Sequence, residues 1–139
     1  MTTDTSTDGT GDLDWLLSNL VDTVPSATAA AVSSSDGMLK YFYGLSRDDA
    51  DRLSALATGA FSLCGQVGSL LPDKAGRGIQ VIMEAEGGMM FAARVGANSV
   101  LAVLGTKGID VSVVGYEMRM LANRAAPILA TPVRTAVAG

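Results

Sequence analysis

The sequence predicts a single α+β domain in which helices pack on a five-stranded antiparallel sheet. Three observations predict it. Apolar residues recur at helical spacing in three segments, they alternate with a period of two in others, and short glycine-containing turns separate the strand-like segments. In chain order the elements are helix, strand, strand, helix, strand, strand, strand and helix. A chain of 139 residues is long enough to bury a core as one domain.

The first half of the chain predicts a helix followed by a β-hairpin. Leucines recur at helical spacing from Asp12 to Val24, and Pro25 ends the pattern. A small-residue strand, residues 28–33, and an aromatic strand, residues 38–43, flank Asp36-Gly37, a dipeptide typical of tight hairpin turns. We expect residues 1–11 to form a disordered tail, residues 12–130 to form the domain and residues 131–139 to form a second tail.

A long, nearly uncharged helix follows the hairpin. Ser46 predicts its N-cap, Asp49 stands where the acid of a capping box belongs, and Pro72 ends it. From Leu53 to Leu71 no side chain is charged. Since such a helix needs covering on more than one side, we expect a second molecule to cover what the domain's own core leaves open. A membrane span is the alternative, but three glycines, four Ser or Thr residues and a glutamine argue against insertion.

The second half of the chain predicts a three-stranded meander and a closing helix. Residues 79–85, 89–95 and 99–104 read as strands joined by short glycine-containing turns. The last of these strands is apolar on both faces, so we expect it near the centre of the sheet. Helical spacing from Asp110 to Leu129 predicts the final helix. Its expected buried stripe is Val111, Val114, Met118, Leu121, Ala125 and Ile128.

The composition excludes several classes of function. The net charge is −4 and no Lys/Arg cluster occurs, which argues against nucleic acid as a partner. The chain has no histidine and one cysteine, which excludes Ser-His-Asp and Cys-His catalysis, His-ligated metal sites and internal disulfides. Neither Gly76-Arg77-Gly78 nor residues 105–108 have the spacing of a nucleotide-binding P-loop. We therefore expect no enzymatic activity, no cofactor and no metal, and a cytoplasmic location suits the lone thiol.

The ordered set of motifs resembles the roadblock/LC7 family. The first part is LDWLLSNLVDTVPSATAAAVSSSDGMLKYFYGL, a helix, a Pro-turn, a small-residue strand, a Ser-Asp-Gly turn and a return strand. The second is the meander GIQVIMEAEGGMMFAARVGANSVLAVLG. The resemblance covers residues 13–129 and is strongest to bacterial roadblock proteins encoded beside a Ras-like small GTPase. Some of those belong to four-gene clusters that include a sensor-kinase-like protein.

The resemblance implies a roadblock/LC7 fold, a homodimer and a protein partner. Two copies would pair their middle helices and join their sheets edge to edge. The dimer would bind a Ras-like small GTPase and modulate its GTP hydrolysis or nucleotide cycle in bacterial signalling. A sensor-kinase-like protein would be a further partner, and partners would recruit the chain to a membrane without direct insertion. The alternatives are a passive scaffold that leaves hydrolysis unchanged and, less well supported by the densely apolar core, a small-molecule sensor.

The long helix carries two stripes of residues. The stripe expected to face the core is Leu53, Leu56, Ala57, Ala60, Cys64, Val67 and Leu71. The second stripe is small and mildly polar, and consists of Ala55, Gly59, Ser62, Gln66 and Ser69. Because small side chains allow two helix backbones to approach closely, the second stripe is the candidate dimer interface. Close packing would offset the roughly 1 kcal/mol by which each glycine weakens a helix. Packing on the domain's own first or last helix is the alternative.

The remaining charged residues are expected to be solvated. A GTPase regulator can donate an arginine to its partner's active site. Arg47, Arg77 and Arg94 are the possible donors here, but the resemblance implies regulation through the partner's switch regions without one. We expect all three arginines to have surface roles, and Glu84 and Glu86 to be solvated charges at a strand edge.

Overall fold

The computed structural model describes residues 10–74 and 76–130. The elements in this part of the chain are α1 (Thr10–Thr23), β1 (Ala27–Ser34), β2 (Leu39–Tyr43), α2 (Arg47–Ser69), β3 (Gln80–Ala85), β4 (Gly88–Val95), β5 (Ser99–Thr106) and α3 (Val111–Ala130). The predicted element order is confirmed. Residues 1–9 of the predicted N-terminal tail and all of the predicted C-terminal tail, residues 131–139, lie outside the described residues. The first helix, α1, begins at Thr10, two residues before the predicted start.

The five strands form one antiparallel sheet in the order β2-β1-β5-β4-β3. The central position predicted for β5 is confirmed. Its residues 99–103 are all buried, because helices cover both faces of the sheet at this point. The edge strands are β2 and β3, and both are largely exposed or half-buried.

The sheet separates two apolar cores. On one face, α1 and α3 pack over Val32, Phe91, Leu101 and Val103. On the other face, α2 packs over a smaller core built from Ala31, Met90, Ala92, Val100 and Ala102. The alternation of side chains along each strand assigns neighbouring residues to opposite cores. As a result, α2 lies on the opposite side of the sheet from the other two helices.

The start of α2 is fixed by local chemistry. The Ser46 hydroxyl accepts a hydrogen bond from the Asp49 N–H at 3.1 Å, which confirms the predicted N-cap. Gly44, between β2 and α2, has a φ of +92°, and a Cβ at this position would clash with the Thr28 carbonyl. Only glycine fits such a turn without strain. The chain therefore leaves the sheet and enters α2 in one defined direction.

Candidate protein interface

One face of α2 is apolar and uncovered. Leu53, Ala57, Ala60 and Phe61 point into the core beneath the helix. A second set of large apolar side chains, which we call the leucine row, is exposed: Leu56 (64%), Leu63 (59%), Val67 (58%) and Leu70 (82%). These residues recur at spacings of seven, four and three, so they form one continuous strip along the helix. A strip of this kind is typical of a protein–protein contact surface.

The predicted core stripe of α2 is therefore wrong at several positions. Leu56, Val67 and Leu71 are exposed, and Cys64 is half-buried. The physical reason is that α2 rests on a single sheet face, which covers only one side of the helix. On α3, Val111 is also exposed, at the first residue of the helix, whereas Val114, Met118, Leu121 and Ala125 are buried as predicted.

The five small-stripe residues of α2 are all exposed: Ala55, Gly59, Ser62, Gln66 and Ser69. They do not pack on the first or last helix, because both of those lie across the sheet. A Cβ built on Gly59 would meet nothing within 4 Å, so the space beside this residue is open. The small stripe thus borders the leucine row on the outer side of the helix.

The edge of the sheet next to this helix is also free. Among the described strands, β3 pairs with β4 alone. Its apolar side chains Ile82 (42%) and Met83 (48%) are partly exposed, as is Ile79 (76%) just before it. The Arg94 N–H donates to the Ile79 carbonyl at 3.4 Å. Main-chain groups alternate between the two sides of an antiparallel strand. The N–H and C=O groups of the even-numbered residues, Gln80 to Glu84, therefore point away from β4 towards the free edge.

The loop between α2 and β3 is held against the helix. Arg94 Nε donates to the Gly78 carbonyl at 2.7 Å, and the guanidinium lies 5.6 Å from the centre of the Phe61 ring. A Cβ on Gly78 would come within 2.7 Å of the Cys64 Cβ, so helix and loop are in close contact there. The expected surface role is wrong for Arg94, which is half-buried, whereas Arg47 and Arg77 are exposed. The reason is that the loop folds back over the strand that carries Arg94.

A groove opens between the first half of α2 and the sheet. Its volume is about 850 Å³, and its apolar lining includes Leu53, Leu56, Met83, Met90 and Leu104. Asp49, Arg52 and Glu84 add charged groups to the same groove. The groove reaches β3, because Met83, Glu84 and Ala85 form part of its lining. The leucine row, the groove and the free edge are therefore contiguous.

The uncovered surface combines exposed apolar side chains with open main-chain groups at the β3 edge. Among residues 10–74 and 76–130, no group of three or more His, Cys, Asp or Glu side chains is placed to hold a metal ion. In that same part of the chain, no helix has the length and apolar character needed to cross a bilayer. The surface can bury apolar side chains and extend a sheet at its edge, which are two common modes of protein recognition.

Comparisons with known proteins agree with this architecture. Residues 13–105 match the Roadblock/LC7 domain. A Roadblock/LC7 domain structure from Streptomyces avermitilis is 41% identical, with a TM-score of 0.80 over 85% of this chain and 98% of that chain. A second domain from the same organism is 36% identical, with a TM-score of 0.66 over 81% and 96%.

More distant structures share the fold. MglB of Myxococcus xanthus is 16% identical, with a TM-score of 0.73 over 85% of this chain and 94% of that chain. No curated protein matches the sequence. The family match spans most of the described chain, and the first Streptomyces structure aligns over nearly its whole length. The chain belongs to the Roadblock/LC7 domain family.

Proposed function

We propose that this chain is a non-enzymatic homodimeric regulator that binds a Ras-like small GTPase and modulates its GTP hydrolysis or nucleotide cycle in bacterial signalling. The leucine row on α2 is the observation that carries the homodimer, because four large apolar side chains on one helix face need a protein partner, here a second copy. The family resemblance supplies the kind of partner. The regulator works in the cytoplasm, where its partners, among them a sensor-kinase-like protein, recruit it to a membrane.

The dimer is supported by two uncovered surfaces on one side of the domain. Pairing of two α2 helices buries both leucine rows, and joining two β3 edges satisfies the open main-chain groups of both strands. The small stripe, Ala55, Gly59, Ser62, Gln66 and Ser69, forms the helix contact together with the adjacent leucine row. Gly59 allows the closest approach of the two helices, since no described residue of the same copy lies within 4 Å of a Cβ built at this position.

The groove next to β3 suits the same arrangement. A second copy, related by a two-fold axis at the β3 edge, brings its own leucine row towards Leu56 and Met83, which line the groove. The groove and the leucine row become two halves of one contact, as an isologous interface requires.

Regulation of the GTPase does not require an arginine from this chain. Arg94 is engaged with Gly78 and Phe61, and releasing it would disrupt the α2–β3 loop. Arg47 lies 3.8 Å from Asp51 in an exposed ion pair. We propose that the dimer acts on the shape of the GTPase's nucleotide-responsive loops, which contact changes alone can bias.

The test is capture of partners from the source cell by the immobilised full chain, in parallel with GDP and with a non-hydrolysable GTP analogue. Enrichment of a Ras-like GTPase with the GTP analogue supports a regulator of the nucleotide cycle. Equal recovery in both states, with turnover of the recovered GTPase unchanged by the chain, supports the passive scaffold. Recovery of no small GTPase in either state contradicts the proposal. Gly59→Leu serves as the matched bait that lacks the helix pair, and Asn123→Leu, exposed on α3, is its control.

A further inference from the structure

We propose that two copies join their β3 strands in one register, centred on Ile82, and that Arg77 of each copy pairs with Glu86 of the other. This inference rests on the proposed homodimer and specifies how its two sheets are joined. It follows from three features of the free edge: the direction of its main-chain groups, the order of its side chains and the separation of its charges.

The main-chain groups restrict the possible registers. Gln80, Ile82 and Glu84 direct their N–H and C=O groups to the free edge, since Ile79 bonds to Arg94 on the other side. Two antiparallel β3 strands must therefore form their hydrogen-bonded pairs between even-numbered residues. Centring the pair on Ile82 brings all three of these residues into hydrogen-bonded pairs, Gln80 with Glu84 of the second copy and Ile82 with its own equivalent.

The side chains favour this register over those centred nearer the C-terminus. It places the half-exposed Ile82 side chains of the two copies opposite one another and the Gln80 amide opposite a Glu84 carboxylate. If the centre of the pair moves by one residue to Met83, Ile82 of one copy faces Glu84 of the other. If the centre moves by two residues to Glu84, the two Glu84 carboxylates face each other, which is destabilising.

A two-fold axis at this edge brings positive charges of one copy next to negative charges of the other. Lys74 and Arg77 precede β3, and Glu84 and Glu86 lie at its end and in the following turn. Within the described part of the chain, none of these four side chains forms an ion pair. In the register centred on Ile82, Glu86 of one copy lies opposite Gly78 of the other and so beside Arg77. The acidic end of each strand thus meets the basic start of its partner.

The position of α2 relative to β3 is consistent with a two-fold axis at Ile82. The Cys64 thiol lies 3.9 Å from the Gln80 carbonyl oxygen, while Leu53 and Leu56 line one groove with Met83 and Glu84. The part of α2 that lies level with Ile82 is therefore the stretch between Leu56 and Cys64. That stretch contains Gly59, beside which the space is open. A two-fold axis through Ile82 brings the two helices closest where the smallest residue stands.

The charge pairing is tested by swapping its two members. Arg77→Glu alone and Glu86→Arg alone each place like charges together twice in the homodimer, and each should weaken self-association about tenfold. Mixed in equal amounts, the two variants should form the heterodimer in preference to either homodimer, because both contacts are then restored with reversed sign. Native mass spectrometry separates the three species. Arg124→Glu, at an exposed position on α3, is the matched control for a charge reversal and should leave association unchanged.

The register is tested by disulfide trapping in a Cys64→Ser background with oxidised glutathione as the oxidant. Ile82→Cys places two thiols in a directly opposed pair, about 5.5 Å between Cα atoms, which a disulfide can span. Met83→Cys places its thiols on a diagonal of about 7–8 Å and should cross-link less. Stronger cross-linking at Met83, or a statistical mixture of the charge variants, overturns the proposed register.

The outcomes separate this inference from the proposed function. A dimer that captures the GTPase yet tolerates both charge reversals and shows no Ile82 cross-link refutes the register and leaves the function standing. A dimer with the predicted cross-link and heterodimer preference that captures no GTPase refutes the function and leaves the register standing. A chain that is monomeric under all conditions overturns the register together with the dimer.

Discussion

The guanidinium of Arg94, on β4, donates a hydrogen bond to the carbonyl of Gly78 at 2.7 Å and so fastens the α2–β3 loop to the sheet. The same group lies over the Phe61 ring of α2, 5.6 Å from its centre. One side chain thus links the helix, the loop and the sheet beside the two surfaces that we assign to dimerisation. The spacing between those two surfaces depends on this contact.

Replacing Arg94 by glutamine should destabilise the fold and loosen the loop. Loss of a charge-assisted hydrogen bond and of the ring contact predicts a fall of about 2 kcal/mol in the free energy of unfolding. Urea denaturation at fixed protein concentration measures it, and hydrogen exchange should accelerate in residues 76–79. Arg124→Gln, on the exposed side of α3, should change the stability by less than about 0.5 kcal/mol. Equal effects of the two substitutions would rule out the proposed role of Arg94.

Gly78→Ala should destabilise the chain although the change is small. The added Cβ would lie 2.7 Å from the Cys64 Cβ and 2.8 Å from Phe61 Cδ1, so the loop must move away from α2. Forced repacking of this kind costs about 1–3 kcal/mol. Gly115→Ala is the control, because its Cβ would meet nothing within 4 Å and alanine raises helix stability by up to about 1 kcal/mol. Thermal unfolding should show opposite signs for the two variants, and a neutral Gly78→Ala would contradict the close contact.

Gly59→Leu should dissociate the homodimer without unfolding the chain. Within one copy the space beside Gly59 is open and leucine favours a helix, so the monomer gains about 1 kcal/mol from helix propensity. Between two copies the leucine holds the helices apart, and Ser62→Glu should act in the same direction by bringing like charges together. Light scattering reports the mass and circular dichroism the helix content. Asn123→Leu, which adds an exposed leucine to α3, should remain dimeric. A Gly59→Leu protein that stays dimeric and soluble would refute the helix pair.

The hydrogen bond between Tyr43 and Asp22 should make the stability of the fold depend on pH. The Asp22 carboxylate lies 3.3 Å from the Tyr43 hydroxyl, and its negative charge raises the pKa of that phenol above its ordinary value of 10.0. A raised pKa in the folded state means that the contact stabilises the fold fully below pH 10.0 and that this contribution is lost as the pH rises through the folded pKa.

The variant Asp22→Asn should lower the pKa of Tyr43 towards 10.0, because the neighbouring charge, the largest cause of the shift, is removed. Titration of the Tyr43 ring carbon by NMR measures the change directly. Asp14→Asn, an exposed carboxylate on the same helix, is the control and should leave the Tyr43 titration where it is. An unchanged Tyr43 pKa in the Asp22 variant would show that the two groups do not interact in solution.

The order of elements could be predicted from sequence because it depends on local signals. Asp36-Gly37 marks the hairpin, Ser46 marks the start of α2, and the apolar run in β5 marks the centre of the sheet. Periodicity also shows that α2 has more than one stripe. It does not show which stripe the sheet covers, because Leu53 and Leu56 are equally apolar and differ only in their angle around the helix.

The role of Arg94 could not be predicted from sequence. It depends on a loop that folds back across the strand, and the only local trace is a glycine at position 78 that has several other possible explanations. The separation of Lys74 and Arg77 from Glu84 and Glu86 is visible in the sequence. Its role in pairing two copies follows only from the structure, in which β3 is an edge strand and none of the other described strands pairs with its outer side.

The central claim is that the leucine row of α2 and the free edge of β3 form one interface between two copies of the chain. Hydrogen–deuterium exchange at low and high protein concentration tests it directly. We predict that residues 80–85 and the exposed face of α2 become protected together as the concentration rises, with a mass near twice 14.2 kDa, while α3 is unchanged. Concentration-dependent protection on α1 or α3, with β3 still exchanging freely, would contradict the account.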